Sequence, residues 1–352
     1  EVSETQAYVL GLLEPILVRT AASRALFCPT GRALGVGEVL RNPDLADYLE
    51  ALGADPRASF HRGDLARRLV EDLRSGGGLL TEQDLADYRV VERRPLEVRY
   101  RDRHLRTNPP PTFGGALVGL ALRRLEDAGP AAPRHGVEWA RRHVGVMAGI
   151  DRDRAAAHPE VVAALAEGLD GRLNPRGTTH VSVADADGNV AAMTTSNGEC
   201  SGDVVAGTGI ATNNMLGEDD LHPDGFHAFE PGVRVASMMA PTFVLDDRGS
   251  VEVALGSGGS KRIRTALGGV ISALVDDGLG LADAIDAPRL HWDADHLEVE
   301  PGLPEPTLAA LAADHPVNVW PGPNLYFGGV HAVAPGRSGA ADARRGGAVR
   351  AS

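Results

Sequence analysis

No apolar run in this 352-residue chain approaches the roughly 20 residues that a membrane-crossing helix needs, so no such span is expected. Cysteine is nearly missing. Cys28 and Cys200 lie far apart and outside any CxxC or Cys/His ligand spacing, which leaves a structural zinc site unsupported. Parity alone allows a disulfide, and two isolated small hydrophobes is the preferred reading. Basic residues are outnumbered, 35 Lys and Arg against 48 Asp and Glu, for a net charge of -13. That balance argues against nucleic acid as a general partner, because phosphate binding wants a basic face. A small anionic substrate stays open, since it needs only a local positive site. His180, His222, His227, His291 and His296 show neither HExxH nor other ligand spacing and read as structural or surface groups. No metal and no cofactor are expected.

What is abundant is glycine (43) and proline (23), which implies many tight turns. With 43% hydrophobic and 24% charged residues, the composition is that of an ordinary globular protein, long enough for one large or two modest cores. Apolar spacing predicts helices over Thr5–Leu17, from Asn42-Pro43-Asp44, over Asp64–Leu73 and from Thr81 to about Tyr88. Leu96–Tyr100 and His104–Thr107 alternate as a strand pair. Pro109–Gly115 reads as a rigid turn before a helix over Ala116–Leu125, and helices follow over Gly136–Gly149 and Pro159–Gly168. From Leu169 to Gly177 turn formers accumulate, marking an exposed linker. Beyond it strands prevail: His180–Ala184 with Val190–Ser196, Phe243–Asp246 with Val251–Leu255, then Leu297–Val299 and Tyr326–Val333. Helices return over Lys261–Asp277 and Leu281–Ala287.

Three features carry chemistry. If Asp187-Gly188 is a two-residue hairpin turn, Thr178 faces Asn197; a one-residue slip brings Ser196 opposite instead. A hydroxyl or amide there could orient a nucleophile, and from the hairpin alone an ordinary cross-strand pair is the favoured reading. Next, Val253–Ser260 reads as strand, glycine turn (Gly256-Ser257-Gly258-Gly259) and helix N-terminus, which would aim backbone N–H groups at an anion. A turn needing glycine only for its backbone angles is an equal reading. Third, Asn213–Asp220 ends in three acids, either a solvated face or a grip for a substrate ammonium group.

A resemblance joins these features. Thr178-Thr179-His180-Val181-Ser182-Val183-Ala184-Asp185-Ala186-Asp187-Gly188-Asn189 resembles the start of the small subunit of gamma-glutamyltranspeptidases. The same order of motifs follows in Gly207–Asn214, Ser237-Met238-Met239-Ala240-Pro241-Thr242, Gly256–Ser260 and Ala284–His291. Phe60-His61-Arg62-Gly63, Gly77–Thr81 and Pro109–Gly115 resemble the large subunit. The likeness covers nearly the whole chain.

That resemblance implies an α+β fold, the four-layer αββα sandwich of N-terminal-nucleophile hydrolases. It implies a precursor cut between Gly177 and Thr178 into a large-subunit region, 1–177, and a small-subunit region, 178–352, with Thr178 the nucleophile. Gly258 and Gly259 match the family's oxyanion-hole glycines. Ser196 matches a threonine that hydrogen-bonds the nucleophile, and Asn197 replaces an asparagine that contacts the substrate carboxylate. Ser237 matches the first of a serine pair whose second member here is Met238. Glu218 and Asp220 are the candidates for the substrate α-amino group, since Met215 rather than an acid follows Asn214. The implied partners are a gamma-glutamyl compound such as glutathione and, as acceptor, water or an amino acid or other amine. The family's glycine-rich segment and carboxylate-pairing arginine precede the point where this chain opens, on Glu1 in a helix-like stretch. The N-terminus is therefore read as cut or unrecorded, and no compartment is assigned. A protein truly lacking that part is expected to form a partial fold without turnover. Three functional readings stand: an autoprocessing gamma-glutamyl hydrolase or transferase, an acylase of the same superfamily with another acyl group, and a non-catalytic truncated relative.

Overall fold

A computed structural model describes residues 1–54, 60–157, 177–218, 221, 222, 225, 226 and 228–351. The expected helix over 159–168, most of the expected linker and Asp220 lie outside these residues. The chain divides into two compact units, Glu1–Arg93 with Asn197–Met215, and Arg94–Ser196 with Leu216–Ser352.

The smaller unit is mainly helical. Helix α1, Glu4–Leu17, starts at a capping box in which Ser3 and Gln6 satisfy each other's backbone N–H groups. Helix α2, Ala21–Phe27, is capped by Thr20, whose hydroxyl also donates to the Gly202 carbonyl at 3.0 Å. Leu17, Cys28 and Ala33 form the core between them, with Cys200 packed against it. Both cysteines are free thiols acting as small apolar groups. Three further helices follow, α3 (Pro43–Ala54), α4 (Asp64–Ser75) and α5 (Glu82–Asp87), the last capped by Thr81 and Asp84. Asn42 closes the unit by donating from its side-chain amide to the Gly209 carbonyl at 2.8 Å.

The larger unit is built on an antiparallel sheet of six strands. In chain order these are β1 (Leu96–Tyr100), β2 (Arg103–Thr107), β5 (Thr242–Leu245), β6 (Val251–Gly258), β10 (Gly329–Ala334) and β11 (Ser338–Ala341), and they pair in that same order across the sheet. Helices α6 (Phe113–Asp127) and α8 (Arg262–Val275) pack on it and on each other, and α7 (Val137–Ala157) packs on α6. Helix α8 is buried on most of its surface, as its long apolar run demands. A hairpin of β3 (Thr178–Ala184) and β4 (Val190–Ser196) lies on β6. Three short strands, β7 (Leu290–Asp293), β8 (His296–Val299) and β9 (Val317–Val319), form a second sheet that shares a core with α7 through Trp139, Ala140, Val144 and Leu297. Two further helices, α9 (Leu281–Asp286) and α10 (Glu305–Asp314), complete the unit.

Three expectations are corrected. Helix α6 begins at Phe113, three residues early, because Gly114 and Gly115 lie too close to the backbones of Met238 and Asn108 to admit a side chain and can enter the helix only as glycine. Helix α7 runs eight residues past Gly149. The Gly256-Ser257-Gly258 segment is the end of a strand, and the turn into α8 starts only at Gly259.

Candidate active site

The β3–β4 connection sets where Thr178 sits. Asp185 Oδ1 accepts from the backbone N–H groups of Asp187 (3.0 Å) and Asn189 (2.8 Å), and Gly188 takes φ +85°. The Asp185 N–H donates to the Asn189 carbonyl at 3.0 Å, so three residues, not two, form the loop. That extra residue shifts the ladder by one place. Thr178 therefore pairs with Ser196, and the Asn197 pairing is corrected. The two hydroxyls are 2.9 Å apart, one donating to the other.

Beneath Thr178 and His180, β6 presents glycine. Gly256 and Gly258 share one face of β6 by strand alternation. A Cβ on Gly258 would overlap the Thr178 carbonyl oxygen, and one on Gly256 would overlap the His180 ring. Thr178 and His180, also alternate residues, thus rest directly on the glycine backbone. Gly259 has φ +132°, and a Cβ there would lie 2.8 Å from the Gly328 Cα, so glycine is required twice over. The Ser257 hydroxyl donates to the Gly258 carbonyl (2.8 Å) and accepts from the Gly329 N–H (3.2 Å), which stiffens this backbone. Helix α8 then starts at Arg262, and no side chain caps it.

The surrounding charges are strongly desolvated. Burial, then the nearby His331, pushes His180 down to about 4, so its ring is neutral near pH 7. It bridges Thr194 Oγ1 through Nδ1 and Ser182 Oγ through Nε2, each at 2.8 Å. Arg345 lays its stem along Gly329, and its Nη1 would be 3.2 Å from a Cβ on Gly258. Burial, followed by Arg262, lowers this guanidinium to about 10. Sequence reading missed Arg345. An Arg-Arg pair near a glycine turn gives no local sign that it folds back beneath a distant strand.

The other expected site residues are placed less tightly. Asn197 is exposed, and its carbonyl accepts from Cys200 (3.0 Å) and Asn214 (3.3 Å) within the smaller unit. Ser237 is buried, with its hydroxyl 3.4 Å from that of Thr112 and its carbonyl accepting from Phe113 at the start of α6. Glu218 is buried just after a 3₁₀ turn, and its carbonyl accepts from Leu221. Gly177 is exposed immediately before β3. The structure thus brings together Thr178, Ser196 and Gly258, with Gly259 adjoining, while Ser237 lies against the start of α6 and Glu218 follows the 3₁₀ turn. Among the described residues no group of three or more His, Cys, Asp or Glu side chains could hold a metal, and no helix is long and apolar enough to cross a membrane.

The sequence model of the gamma-glutamyltranspeptidase family matches residues 1–143 and 142–352. The chain belongs to the gamma-glutamyltranspeptidase family. It is 31% identical over 336 residues to the glutathione hydrolase proenzyme of Escherichia coli strain K12, covering 83% of this chain and 58% of that protein. To the acylase ACY 1 proenzyme of Pseudomonas sp. strain SE83 it is 32% identical over 349 residues, covering 90% of this chain and 62% of that protein. It therefore spans roughly three-fifths of the length of these two relatives, 58% and 62%. The cephalosporin acylase of Bacillus halodurans superposes with a TM-score of 0.81 at 26% identity, covering 99% of this chain and 71% of that one. The fold is α+β, of the N-terminal-nucleophile hydrolase type shared by these transpeptidases and acylases.

Proposed function

We propose that this chain is the catalytic part of an autoprocessing gamma-glutamyl hydrolase or transferase that acts through Thr178. The observation that carries this reading is the 2.9 Å contact between the Thr178 and Ser196 hydroxyls directly above Gly258. In the precursor, the Thr178 hydroxyl attacks the Gly177 carbonyl carbon. The peptide bond shifts to an ester, which water hydrolyses to a Gly177 carboxylate and a free Thr178 α-amine. The products are the regions 1–177 and 178–352.

The new amine accepts the proton of the Thr178 hydroxyl, which solves the problem of a weak alcohol nucleophile near neutral pH. Oγ1 then attacks the carbonyl of a gamma-glutamyl amide such as glutathione. The backbone N–H groups of Gly258 and Gly259 stabilise the resulting oxyanion, a donor of this kind being worth about 3 kcal/mol. The leaving amine departs with the proton, leaving an acyl ester on Thr178. Water or an acceptor amine then attacks the ester, its proton passing through the α-amine to Oγ1, which leaves as the regenerated Thr178 hydroxyl. Ser196 orients Oγ1. Asn197 and Ser237 are assigned to the substrate carboxylate side, and Glu218 and Asp220 to its ammonium group.

A second reading, an amide acylase with another acyl group, is supported by the 32% identity to the Pseudomonas acylase and by Met215 and Met238 in place of polar residues. Denaturing electrophoresis of the protein expressed from its complete reading frame, with N-terminal sequencing, tests both readings. Two fragments are expected, the smaller beginning Thr-Thr-His, and Thr178→Ala should leave one chain. Uncleaved wild-type protein would overturn both. Release of chromophore from a gamma-glutamyl anilide separates the first reading from the second.

A further inference from the structure

The reaction proposed for Thr178 needs its new α-amine as a free base, and an ordinary α-amine titrates at about 7.7–8.0. A neighbour that disfavours the ammonium form would supply what is missing, and the sheet beneath Thr178 holds one. Gly258 of β6 pairs with Gly329 of β10, so two facing positions on the same side of the sheet lack side chains. The Thr178 carbonyl rests on the first. A Cβ at Gly258 would lie 2.3 Å from its oxygen and 3.2 Å from Arg345 Nη1. The second carries the Arg345 stem, whose Cβ, Cγ and Cδ would lie 2.6–2.8 Å from a Cβ on Gly329. The Thr178 backbone and the Arg345 guanidinium thus lie side by side on a floor of glycine.

Buried ion pairs hold this cation in place. Arg345 ends the 3₁₀ turn Ala343–Arg345, and its Nη2 donates to the Leu325 carbonyl at 3.2 Å. Asp342, fully buried, fastens the turn by accepting from the Val330 N–H at 2.9 Å and pairing with Arg289 and Arg344. Arg344 also donates to the buried Glu300, at 2.7 and 2.6 Å. Even lowered by burial to about 10, Arg345 stays charged near pH 7. The strands packed on β3 are β4, β6 and β10, and they bring no rival charge to Thr178. Strand β4 has only hydroxyl and apolar side chains. Strand β6 presents glycine there, and its Glu252 sits at the far end, paired with Arg103. On β10, burial pushes His331 below its ordinary value, and His180 on β3 itself is neutral near pH 7. Around the turn, the guanidinium groups of Arg289, Arg344 and Arg345 outnumber the carboxylates of Asp342 and Glu300, which leaves a positive field. A nearby like charge disfavours an ammonium group, and more strongly where water is excluded.

We propose, building on the reading of Thr178 as an N-terminal nucleophile, that Arg345 is a positioning residue whose charge keeps the Thr178 α-amine unprotonated. The amine can be titrated directly. Protein expressed from its complete reading frame is labelled with acetic anhydride over a range of pH, and mass spectrometry follows the N-terminal peptide of the smaller fragment. Lys261, the only lysine in the chain, falls in another arginine-bounded peptide and does not confuse the reading. The wild-type amine is expected to titrate about one unit below the ordinary value of about 7.7–8.0. Arg345→Met keeps the stem on Gly329 but deletes the charge, and should raise the midpoint by about one unit. Arg345→Lys should restore most of the lowering. A wild-type midpoint at or above about 7.7, or one that Arg345→Met leaves unmoved, would overturn the proposal. Arg345→Gln replaces the Met variant if that one yields no fragment, and the wild-type midpoint decides in either case. Wild-type protein that stays uncleaved would overturn the Thr178 reading itself, whereas cleaved protein with an ordinary amine removes only the role of Arg345.

Discussion

Beside Thr178 the side chains of Ser196 and His180 are matched, hydroxyl to hydroxyl and ring nitrogen to hydroxyl at both ends. Around α7 and α8 they are not, because buried N–H groups of Arg134, Trp139, Arg264 and Arg289 have no partner. Both places belong to one unit, the first half-buried and the second buried. The first is crowded until glycine is the only residue the sheet can present. The second packs its guanidinium and indole groups closely and leaves some of their N–H groups unpaired. A crowded site with paired hydroxyls suits a group that must hold one orientation, and unpaired buried donors are a cost that packing carries elsewhere.

Substitutions can break this contrast, and the largest effect is expected where space is shortest. Gly258→Ala drives a methyl into the Thr178 carbonyl. It should abolish self-cleavage and lower stability by about 1–3 kcal/mol or more, read by electrophoresis and urea unfolding. Gly256→Ala makes the same collision with His180 and should cost similar stability, yet leave measurable cleavage. If both variants cleave alike, the special role of Gly258 fails.

Acid comes next. His180 and His143 are both held near 4, below the ordinary value of 6.5. The unfolded chain therefore binds more protons between these values. Stability is full above about pH 6.5 and declines as the pH falls toward 4, by on the order of 2–3 kcal/mol for each ring. Unfolding free energies across that range, compared with those of His180→Gln, should show a shallower slope in the variant.

The smallest effects compare single polar groups. Ser196→Ala removes a made hydrogen bond and should cost about 1 kcal/mol while slowing cleavage. Trp139→Phe removes an unmade one, and chemical denaturation should show a change within about 0.5 kcal/mol, or a slight gain. A larger loss there would mean that Nε1 already has a partner.

Much of this frame was legible from sequence wherever a local rule decides. The Ser3 and Thr81 caps, the β1–β2 pair and the β3–β4 hairpin each rest on residues within a few positions of one another. The family's motif order located Thr178, Ser196 and Gly258 before any geometry did. What escaped depends on distant partners. Gly256-Ser257-Gly258 read as a turn because glycine inside a strand is usually a loss, and only the hairpin resting on it explains the choice. Arg345 and the unpaired donors come from segments far apart in the chain, which no window of spacing can join. The hairpin register failed for a subtler reason. Asp185 is close in sequence, but its side chain competes with the backbone and enlarges the loop.

That loop makes the Thr178 site adjustable from a distance. Alternation along a strand has a period of two, so closing the turn on Asp187-Gly188 alone, with Ala186 opposite Asn189, would slide β4 by one place and turn its faces over. Thr178 would then meet an amide in place of a hydroxyl, with every residue of the site itself unchanged. The closure of a solvent-exposed turn, some 20 Å along the hairpin by the rise of a strand, thus acts as a selector for the neighbour of Thr178. Replacing Asp185, whose carboxylate holds the wider loop, is therefore expected to alter the proposed cleavage without a substitution at the cut.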